Sequence, residues 1–201
     1  MAGTPSQIFR IITLSSGHSR GSNLLAMHRH FSEQHLPVEI FRAVFTKATA
    51  PAIEHCTERG IPVEVISAKD MPGFEARLLS LVRDNSIDLI ALCGFLKLLS
   101  ADFLDTLGIP VLNIHPALLP SYGGKSMYGM AVHEAVYSNG EQYSGATVHR
   151  ADAQYDHGAI VAQQRVDISS CQSADEVAAR VLQVEHQLYA QAIWGLLSGI
   201  S

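Results

Sequence analysis

The chain has 201 residues, of which 47% are hydrophobic and 16% charged, a balance that suits one compact α/β domain with a buried core and excludes wholesale disorder. Its net charge of −5 disfavours a broad nucleic-acid-binding surface, which needs clustered basic residues, but leaves room for a local phosphate pocket. We therefore expect small-molecule substrates and no nucleic-acid partner.

In its first half the chain alternates apolar strands with amphipathic helices. Such alternation predicts a parallel sheet with right-handed crossovers. The predicted strands cover residues 9–14, 38–45, 63–66, 87–92 and 110–114. A first helix is predicted to begin at 22 or 23, and three further helices are predicted at 51–59, 74–84 and 101–107.

The later segments have a different pattern. Residues 144–149 and 160–168 alternate regularly, which predicts strands closer to a sheet edge, and 173–197 has the spacing of a long helix.

We find no repeat or linker. The prediction is a single domain over 1–201, with a flexible N-terminus at 1–7. Its fold is an α/β, Rossmann-like, open and mostly parallel twisted sheet flanked by helices, with antiparallel strands toward the C-terminal part.

The cysteines Cys56, Cys93 and Cys171 are odd in number, far apart and without a C-x-x-C pair. This pattern argues against a disulfide framework or a zinc site, and we expect reduced, mostly buried thiols and no metal. The start has no basic region before its apolar run, and no stretch is long enough to span a bilayer. We expect a soluble, cytoplasmic protein without a membrane partner.

The first strand leads into the loop S-S-G-H-S-R-G-S-N, residues 15–23, which opens a helix. Free N–H groups and the helix dipole at such a point favour an anion, and Gly17 and Gly21 permit close backbone approach while Arg20 adds charge. The loop is neither G-x-G-x-x-G nor a P-loop, and an ordinary turn with a serine cap is the alternative interpretation.

A second candidate segment is L-N-I-H-P-A-L-L-P, residues 112–120. Asn113 and His115 are two residues apart at the end of an apolar strand, so their side chains should share one face. An amide that donates hydrogen bonds beside an imidazole that donates a proton suits a developing oxyanion. The pair therefore indicates a catalytic site.

A third candidate is Asp156, whose carboxylate near His115 would favour and orient the protonated ring. An Asp close to a Gly is otherwise a common turn residue, and Asp152 is the local rival. No G-x-S-x-G elbow is present and Cys93 lies in an apolar context, so direct transfer between two bound substrates is favoured over a covalent enzyme intermediate.

Taken together these segments resemble the folate-dependent formyltransferases, from residue 8 to about 197. Each marker is weak alone, but their order along a chain of this length is specific. The markers are G-S-N at 21–23, G-F-L-K-L-L at 94–99, L-N-I-H-P-A-L-L-P at 112–120, S-G-A-T-V-H at 144–149, D-H-G-A-I-V at 156–161 and V-E-H at 184–186.

The resemblance implies transfer of a formyl group from 10-formyltetrahydrofolate, as co-substrate, to the amine of 5-phosphoribosylglycinamide, by a monomer or homodimer without a metal. It implies that Asn113 binds the formyl oxygen, His115 acts as general acid, Asp156 supports His115 and Glu185 meets the glycinamide. It further implies a phosphate site at Gly21, Ser22 and Asn23 and a folate pocket at Leu96, Lys97, Leu98, Leu99 and Asn113.

Glu185 also stands out by its position, because Val181 and Leu188, one turn to either side, are apolar. A carboxylate on a buried helix face needs a partner. A partly exposed helix glutamate is the alternative.

The chain departs from the family pattern in three places. Lys69 is the only basic residue where a folate-contacting arginine is common, and Leu182 stands where a glutamine often touches substrate. The loop at 121–129 reads S-Y-G-G-K-S-M-Y-G rather than P-G-x-H.

Four alternatives stay open. A formyltetrahydrofolate deformylase would keep the same three residues and let water attack, but usually adds an N-terminal domain. A methionyl-tRNA formyltransferase usually needs a basic surface and a C-terminal RNA-binding domain. A sugar-nucleotide formyltransferase and a non-catalytic phosphate-binding module are the others, and the module has no need of the catalytic residues.

Overall fold

A computed structural model describes residues 7–199, so most of the stretch predicted to be flexible, 1–7, lies outside it. The described part has seven strands and six helices. The strands are β1 (Phe9–Ser15), β2 (Val38–Phe45), β3 (Val63–Val65), β4 (Leu89–Leu92), β5 (Val111–His115), β6 (Tyr143–Arg150) and β7 (Ile160–Asp167), and the helices are α1 (Ser22–Glu33), α2 (Ala52–Glu58), α3 (Met71–Asn85), α4 (Ala101–Leu107), α5 (Met130–Ser138) and α6 (Ala174–Ser198).

The strands form one sheet in the order β3-β2-β1-β4-β5-β6-β7. β1 to β5 run parallel, while β6 pairs antiparallel with β5 and β7 antiparallel with β6. The predicted mostly parallel sheet with antiparallel strands toward the C-terminal part is therefore confirmed. β7 is an edge strand, and β6 lies one position inward.

The strand order reverses between β1 and β4, because the chain moves outward through β2 and β3 and then returns to the other side. Connections diverge at such a switch point and leave a crevice at the carboxyl ends of the strands. The Ser15 hydroxyl donates to the Cys93 carbonyl at 2.9 Å and joins the two strand ends there. Asn113 and His115 lie at the same end of the neighbouring β5.

Both faces of the sheet are covered by helices, and its central strand β4 is accordingly apolar throughout. α1, α2 and α6 pack on one face and α3 and α4 on the other. Along β4 the side chains alternate, with Leu89 and Ala91 in the first core and Ile90 and Leu92 in the second. The three cysteines are free and buried, as expected.

The helix α5 is absent from the sequence-based prediction. It has nine residues, too few for local propensity to mark a stable helix. Its stability comes from tertiary packing, since Val136 joins Val177 and Val181 of α6 in a small third core. The helix therefore depends on a contact that sequence periodicity does not reveal.

Among residues 7–199, no helix combines the length and apolar character that crossing a membrane requires.

Tyr189 of α6 connects this helix to the end of the sheet near the crevice. Its hydroxyl is fully buried and lies 2.8 Å from the Leu112 carbonyl and 3.1 Å from the Leu92 carbonyl, so its one proton is shared between them. We expect Tyr189→Phe to lower the free energy of unfolding by about 1–2 kcal/mol, because both buried carbonyls lose a donor.

Urea unfolding measures this effect. Tyr128→Phe is the matched control, since the Tyr128 side chain is 56% exposed and its loss should change stability by less than about 0.5 kcal/mol. Equal midpoints for the two variants would mean that the Tyr189 hydroxyl does not stabilise the fold.

Candidate active site

A cavity of about 710 Å³ opens at the carboxyl ends of β4 and β5, a volume typical of small-molecule sites. Most of the residues singled out from the sequence line it: Asn23, Leu96, Lys97, Leu98, Leu99, Asn113, His115, Asp156 and Glu185. Gly21 and Ser22 do not, although Arg20 on one side of them and Asn23 on the other do. Within residues 7–199, no cluster of three or more His, Cys, Asp or Glu side chains is arranged to hold a metal ion.

His115 is buried at the wall of this cavity, with 3% of its surface exposed. Its Nε2 lies 2.8 Å from the Tyr122 carbonyl oxygen, and its Nδ1 lies 3.4 Å from Oδ2 of Asp156. Both oxygens are acceptors only, so a ring that donates to both carries a proton on each nitrogen. The contact through Nδ1 is the longer and looser of the two.

Asp156 has contacts on both carboxylate oxygens. The Gly124 N–H donates to Oδ2 at 2.9 Å, and the Asn113 amide lies 3.4 Å from Oδ1. Burial alone would raise the pKa of Asp156, but the contacts with His115 and His149, the His115 charge and the Gly124 N–H outweigh it and hold the pKa well below the usual range. Asp156 is therefore ionised at neutral pH.

The rival carboxylate, Asp152, is placed differently. It also lines the cavity, but its Oδ2 lies 3.2 Å from Nδ1 of the exposed His157. Asp156, not Asp152, is thus the carboxylate that contacts His115.

The backbone around His115 is unusual. Tyr122 has φ 58° and Asp156 has φ 55°, both in the left-handed region that is uncommon for residues other than glycine. Each such position costs on the order of 1–3 kcal/mol. These two residues provide the two acceptors of the His115 ring, so the left-handed turns aim both acceptors at one side chain.

His149 is a site residue that sequence reasoning missed. It lies opposite Asn113 in the antiparallel pairing of β5 and β6. Its Nδ1 lies 2.9 Å from the Arg150 carbonyl oxygen, and its Nε2 lies 3.0 Å from the Asn113 amide nitrogen and 3.6 Å from Oδ1 of Asp156. The sequence offered one signal, a histidine at the end of a predicted strand, but the antiparallel register that brings it to Asn113 depends on tertiary structure.

His133 is the second missed residue. It lies on α5, lines the cavity and has only 6% of its surface exposed. Its Nδ1 has no hydrogen-bond partner among residues 7–199. Burial lowers the pKa of His133, and the charge of a protonated His115 lowers it further.

No side chain among residues 7–199 caps the start of α1, and uncapped N–H groups in a first helical turn can bind an anion. Its N-cap residue, Gly21, has φ 72°, and a Cβ atom there would lie 2.7 Å from Cβ of Ala52. Only glycine fits this close, left-handed position. The close backbone approach that the sequence assigned to Gly21 is present, while the anion site at residues 21–23 stays a prediction.

Asn23 and Glu185 contact each other directly. The Asn23 amide donates to Oε2 of Glu185 at 2.7 Å, and Glu185 has 8% of its surface exposed. Burial raises the pKa of Glu185, while the Asn23 hydrogen bond and the His115 charge oppose that rise. The prediction that Glu185 lies on a buried helix face and needs a partner is confirmed.

The apolar wall of the cavity comes from the segment after β4, where Leu96 and Leu98 are 44% and 39% exposed. Leu182, one of the departures from the family pattern, also lines the cavity, whereas Lys69 does not. The cationic side chains along the lining are Arg20, Lys97 and Lys125.

The chain matches the family model described as "Formyl transferase" over residues 9–193. It is 37% identical over 179 residues to a protein of Vigna unguiculata and 36% identical over 177 residues to one of Arabidopsis thaliana, both named "Phosphoribosylglycinamide formyltransferase, chloroplastic". These matches cover 88% and 86% of this chain but only 57% and 61% of the plant proteins.

Among solved structures, the phosphoribosylglycinamide formyltransferase of Brucella melitensis is 31% identical, with a TM-score of 0.84. That match covers 97% of this chain and 98% of the Brucella chain. The glycinamide ribonucleotide transformylase 1 of Geobacillus kaustophilus is also 31% identical, with a TM-score of 0.83 over 95% of this chain and 100% of the other.

The low pKa of Asp156 should make the free energy of unfolding depend on pH in the acid range. Because the folded-state pKa lies below the unfolded value of about 3.9, ionised Asp156 stabilises the fold above that pH, and the stabilisation is lost as the pH falls toward the folded pKa. We expect the unfolding free energy of the wild type to fall more steeply between about pH 5 and pH 2 than that of Asp156→Asn. Near pH 7 the variant should be less stable by about 1–3 kcal/mol.

Urea titrations across this pH range measure both effects, and the exposed Asp152→Asn is the matched control. A variant at position 156 with the same acid slope as the wild type would contradict the assignment of the low pKa to Asp156.

Proposed function

This chain belongs to the formyl transferase family, and we propose that it transfers the formyl group of 10-formyltetrahydrofolate to the amine of 5-phosphoribosylglycinamide. One observation supports the proposal above all: the His115–Asp156 pair and Asn113 line the same cavity as Asn23 at the start of α1 and Glu185 of α6. The plant and bacterial relatives named for this reaction support the choice of amine.

We infer that the ribonucleotide binds across the Asn23–Glu185 hydrogen bond. Its phosphate would accept hydrogen bonds from the N–H groups of Ser22 and Asn23 at the uncapped start of α1, whereas the Gly21 N–H donates to the Ser19 hydroxyl oxygen at 3.1 Å. Glu185 would accept from the glycinamide end. In this arrangement the amine would face His115. The His115 charge opposes the rise in the Glu185 pKa that burial causes.

The folate would lie along the exposed apolar segment Leu96, Lys97, Leu98 and Leu99, with its formyl oxygen at Asn113. Leu96 and Leu98 offer apolar contact area to the ring system of the folate, and the Lys97 ammonium can form an ion pair with a carboxylate of the folate. This is the co-substrate expected of the family, and we propose no metal in the reaction.

In the proposed reaction the amine nitrogen attacks the formyl carbon. The Nδ1–H of His115, loosely held by Asp156 at 3.4 Å, and an N–H of Asn113 donate to the oxygen that becomes negatively charged. The Nε2–H stays on the Tyr122 carbonyl and fixes the ring. As the bond from carbon to N10 of the folate breaks, N10 receives the proton that the amine loses, relayed through Asp156 or a water. The products are the N-formyl ribonucleotide and tetrahydrofolate.

His149 and Tyr122 act as positioning residues in this scheme. Neither needs to touch the substrate, because His149 orients the Asn113 amide and the Tyr122 carbonyl orients the His115 ring. The cytoplasmic location and a monomeric or homodimeric state stay predictions.

The catalytic assignment predicts large losses in turnover. We expect His115→Ala and Asp156→Ala each to lower kcat at least about 100-fold, the usual scale for general acid–base catalysis. Asp152→Asn should stay within about threefold, because Asp152 contacts His157 instead of His115. Steady-state kinetics on folded variants tests this, and near-normal turnover of either alanine variant would exclude its role.

The choice of acceptor is tested by supplying 10-formyltetrahydrofolate with phosphoribosylglycinamide or with water alone. We expect tetrahydrofolate release to rise at least about 100-fold with the amine present, since orientation of a bound nucleophile is worth orders of magnitude over water. Equal release in both reactions would identify a deformylase. No release with this amine, but release with an amino-sugar nucleotide, would identify the alternative transferase.

A further inference from the structure

The Tyr122 carbonyl, which holds the His115 ring, belongs to a stretch of backbone that needs support. Its oxygen accepts from Nε2 of His115 at 2.8 Å, and the residue that carries it has φ 58°. A left-handed residue other than glycine persists only where the surrounding structure fixes it. Whatever holds Tyr122 in place therefore also decides how firmly the His115 ring is held.

The side chain of Tyr122 is bound at its far end. Its hydroxyl donates to Oε1 of Glu141 at 2.6 Å and accepts from the Asn139 amide at 2.9 Å. The hydrogen bond to Glu141 is the largest cause of the raised pKa of Tyr122, because this acceptor favours the protonated phenol. The one hydroxyl is thus used both as a donor and as an acceptor.

These two partners belong to a turn that is itself anchored. Asn139 ends α5, where its N–H donates to the Ala135 carbonyl at 3.1 Å, and the Glu141 N–H lies 3.4 Å from the Val136 carbonyl. The helix α5 packs on α6 in the third core, and the Tyr122 ring packs against that same core. The hydroxyl therefore connects the Tyr122 side chain to a fixed part of the fold.

We propose that Glu141, together with Asn139, is a positioning residue for formyl transfer that acts through Tyr122 on the His115 ring. This role rests on the proposed function, in which His115 donates to the developing oxyanion. The contacts lead from the Glu141 carboxylate to the Tyr122 hydroxyl, and from the Tyr122 carbonyl to Nε2 of His115. Neither Glu141 nor Asn139 lines the reaction cavity, so their effect must pass through the protein.

A neighbouring tyrosine provides a matched control. Tyr137 of α5 is also partly exposed, and its hydroxyl donates to the Gln172 carbonyl at 2.7 Å. Its own carbonyl accepts from the Gly140 N–H at 3.0 Å and not from His115. The change Tyr137→Phe therefore removes a hydrogen bond of the same kind without acting on the catalytic ring.

The first test follows the Nε2–H proton of His115 by NMR in the full chain without substrate, assigned with His115→Asn. We expect Tyr122→Phe to raise the rate at which this proton exchanges with water by about fivefold, the scale of one lost hydrogen bond, and Tyr137→Phe to leave it unchanged. An unchanged rate in folded Tyr122→Phe would overturn the proposal. Equal increases in both variants would overturn it in favour of a general loss of stability.

The second test is the division of the effect between kcat and KM. We expect Tyr122→Phe to lower kcat about fivefold, because a less well oriented donor stabilises the transition state less, while KM for both substrates stays within about twofold. Tyr137→Phe should match the wild type in both constants. A rise in KM with unchanged kcat would place the Tyr122 hydroxyl in substrate binding and overturn the positioning role.

A double-mutant cycle shows whether Glu141 acts through this hydroxyl. We expect Glu141→Ala to lower kcat about threefold, and Glu141→Gln, whose amide oxygen still accepts from Tyr122, to retain most of the activity. The variant Tyr122→Phe/Glu141→Ala should be no slower than Tyr122→Phe alone, since both changes break the same bond. Additive losses would overturn the proposed route.

The two kinds of measurement separate this inference from the proposed function. If the wild type transfers no formyl group to the amine, the proposed function fails, while the exchange rate of the His115 proton in Tyr122→Phe and Glu141→Ala still shows whether Glu141 acts on the ring. If transfer occurs and that rate is the same in all variants, the positioning role alone is wrong.

Discussion

The site depends on one constraint: the His115 ring is held between the Tyr122 carbonyl and the Asp156 carboxylate. Both acceptors come from left-handed backbone positions, so the surrounding loops must offset an unfavourable local geometry. A buried ring with an acceptor at each nitrogen keeps a fixed rotation and can carry both protons. The rest of the structure can be understood as the means by which these two loops are held against β5.

The antiparallel addition to the sheet holds the loop that carries Tyr122. The Thr147 hydroxyl on β6 donates to the Ala117 carbonyl at 2.6 Å and accepts from the Leu119 N–H, and Gln163 on β7 donates to both Thr147 and Leu119. These bonds fix the chain between His115 and Tyr122 to two neighbouring strands. β6 also contributes His149, which orients Asn113. The two antiparallel strands thus serve the site as well as the sheet.

The sequence predicted those features that depend on local pattern and failed where tertiary register decides. Asn113 and His115 were predictable because a short apolar strand ends in two polar residues on one face. The burial of Glu185 followed from apolar neighbours one turn away on a helix. His149 was missed because its pairing with Asn113 is a register across 36 residues, and His133 because α5 is stabilised by packing on α6. No side-chain pattern could indicate that the second acceptor of His115 is a backbone carbonyl.

The electrostatics of the cavity separate groups that are chemically alike. Of the three histidines that line the cavity, His115 lies between two acceptors, whereas the Nδ1 of His133 has no hydrogen-bond partner among residues 7–199 and its pKa is lowered by burial and by the His115 charge. Two carboxylates approach the same imidazole, yet the pKa of Asp156 is lowered and that of Glu185 is raised. Environment thereby separates Asp156, whose charged form the site favours, from Glu185 and His133, whose charged forms burial disfavours. Such a division of like groups is what formyl transfer needs, because the amine must lose a proton in the same cavity where the formyl oxygen needs a donor.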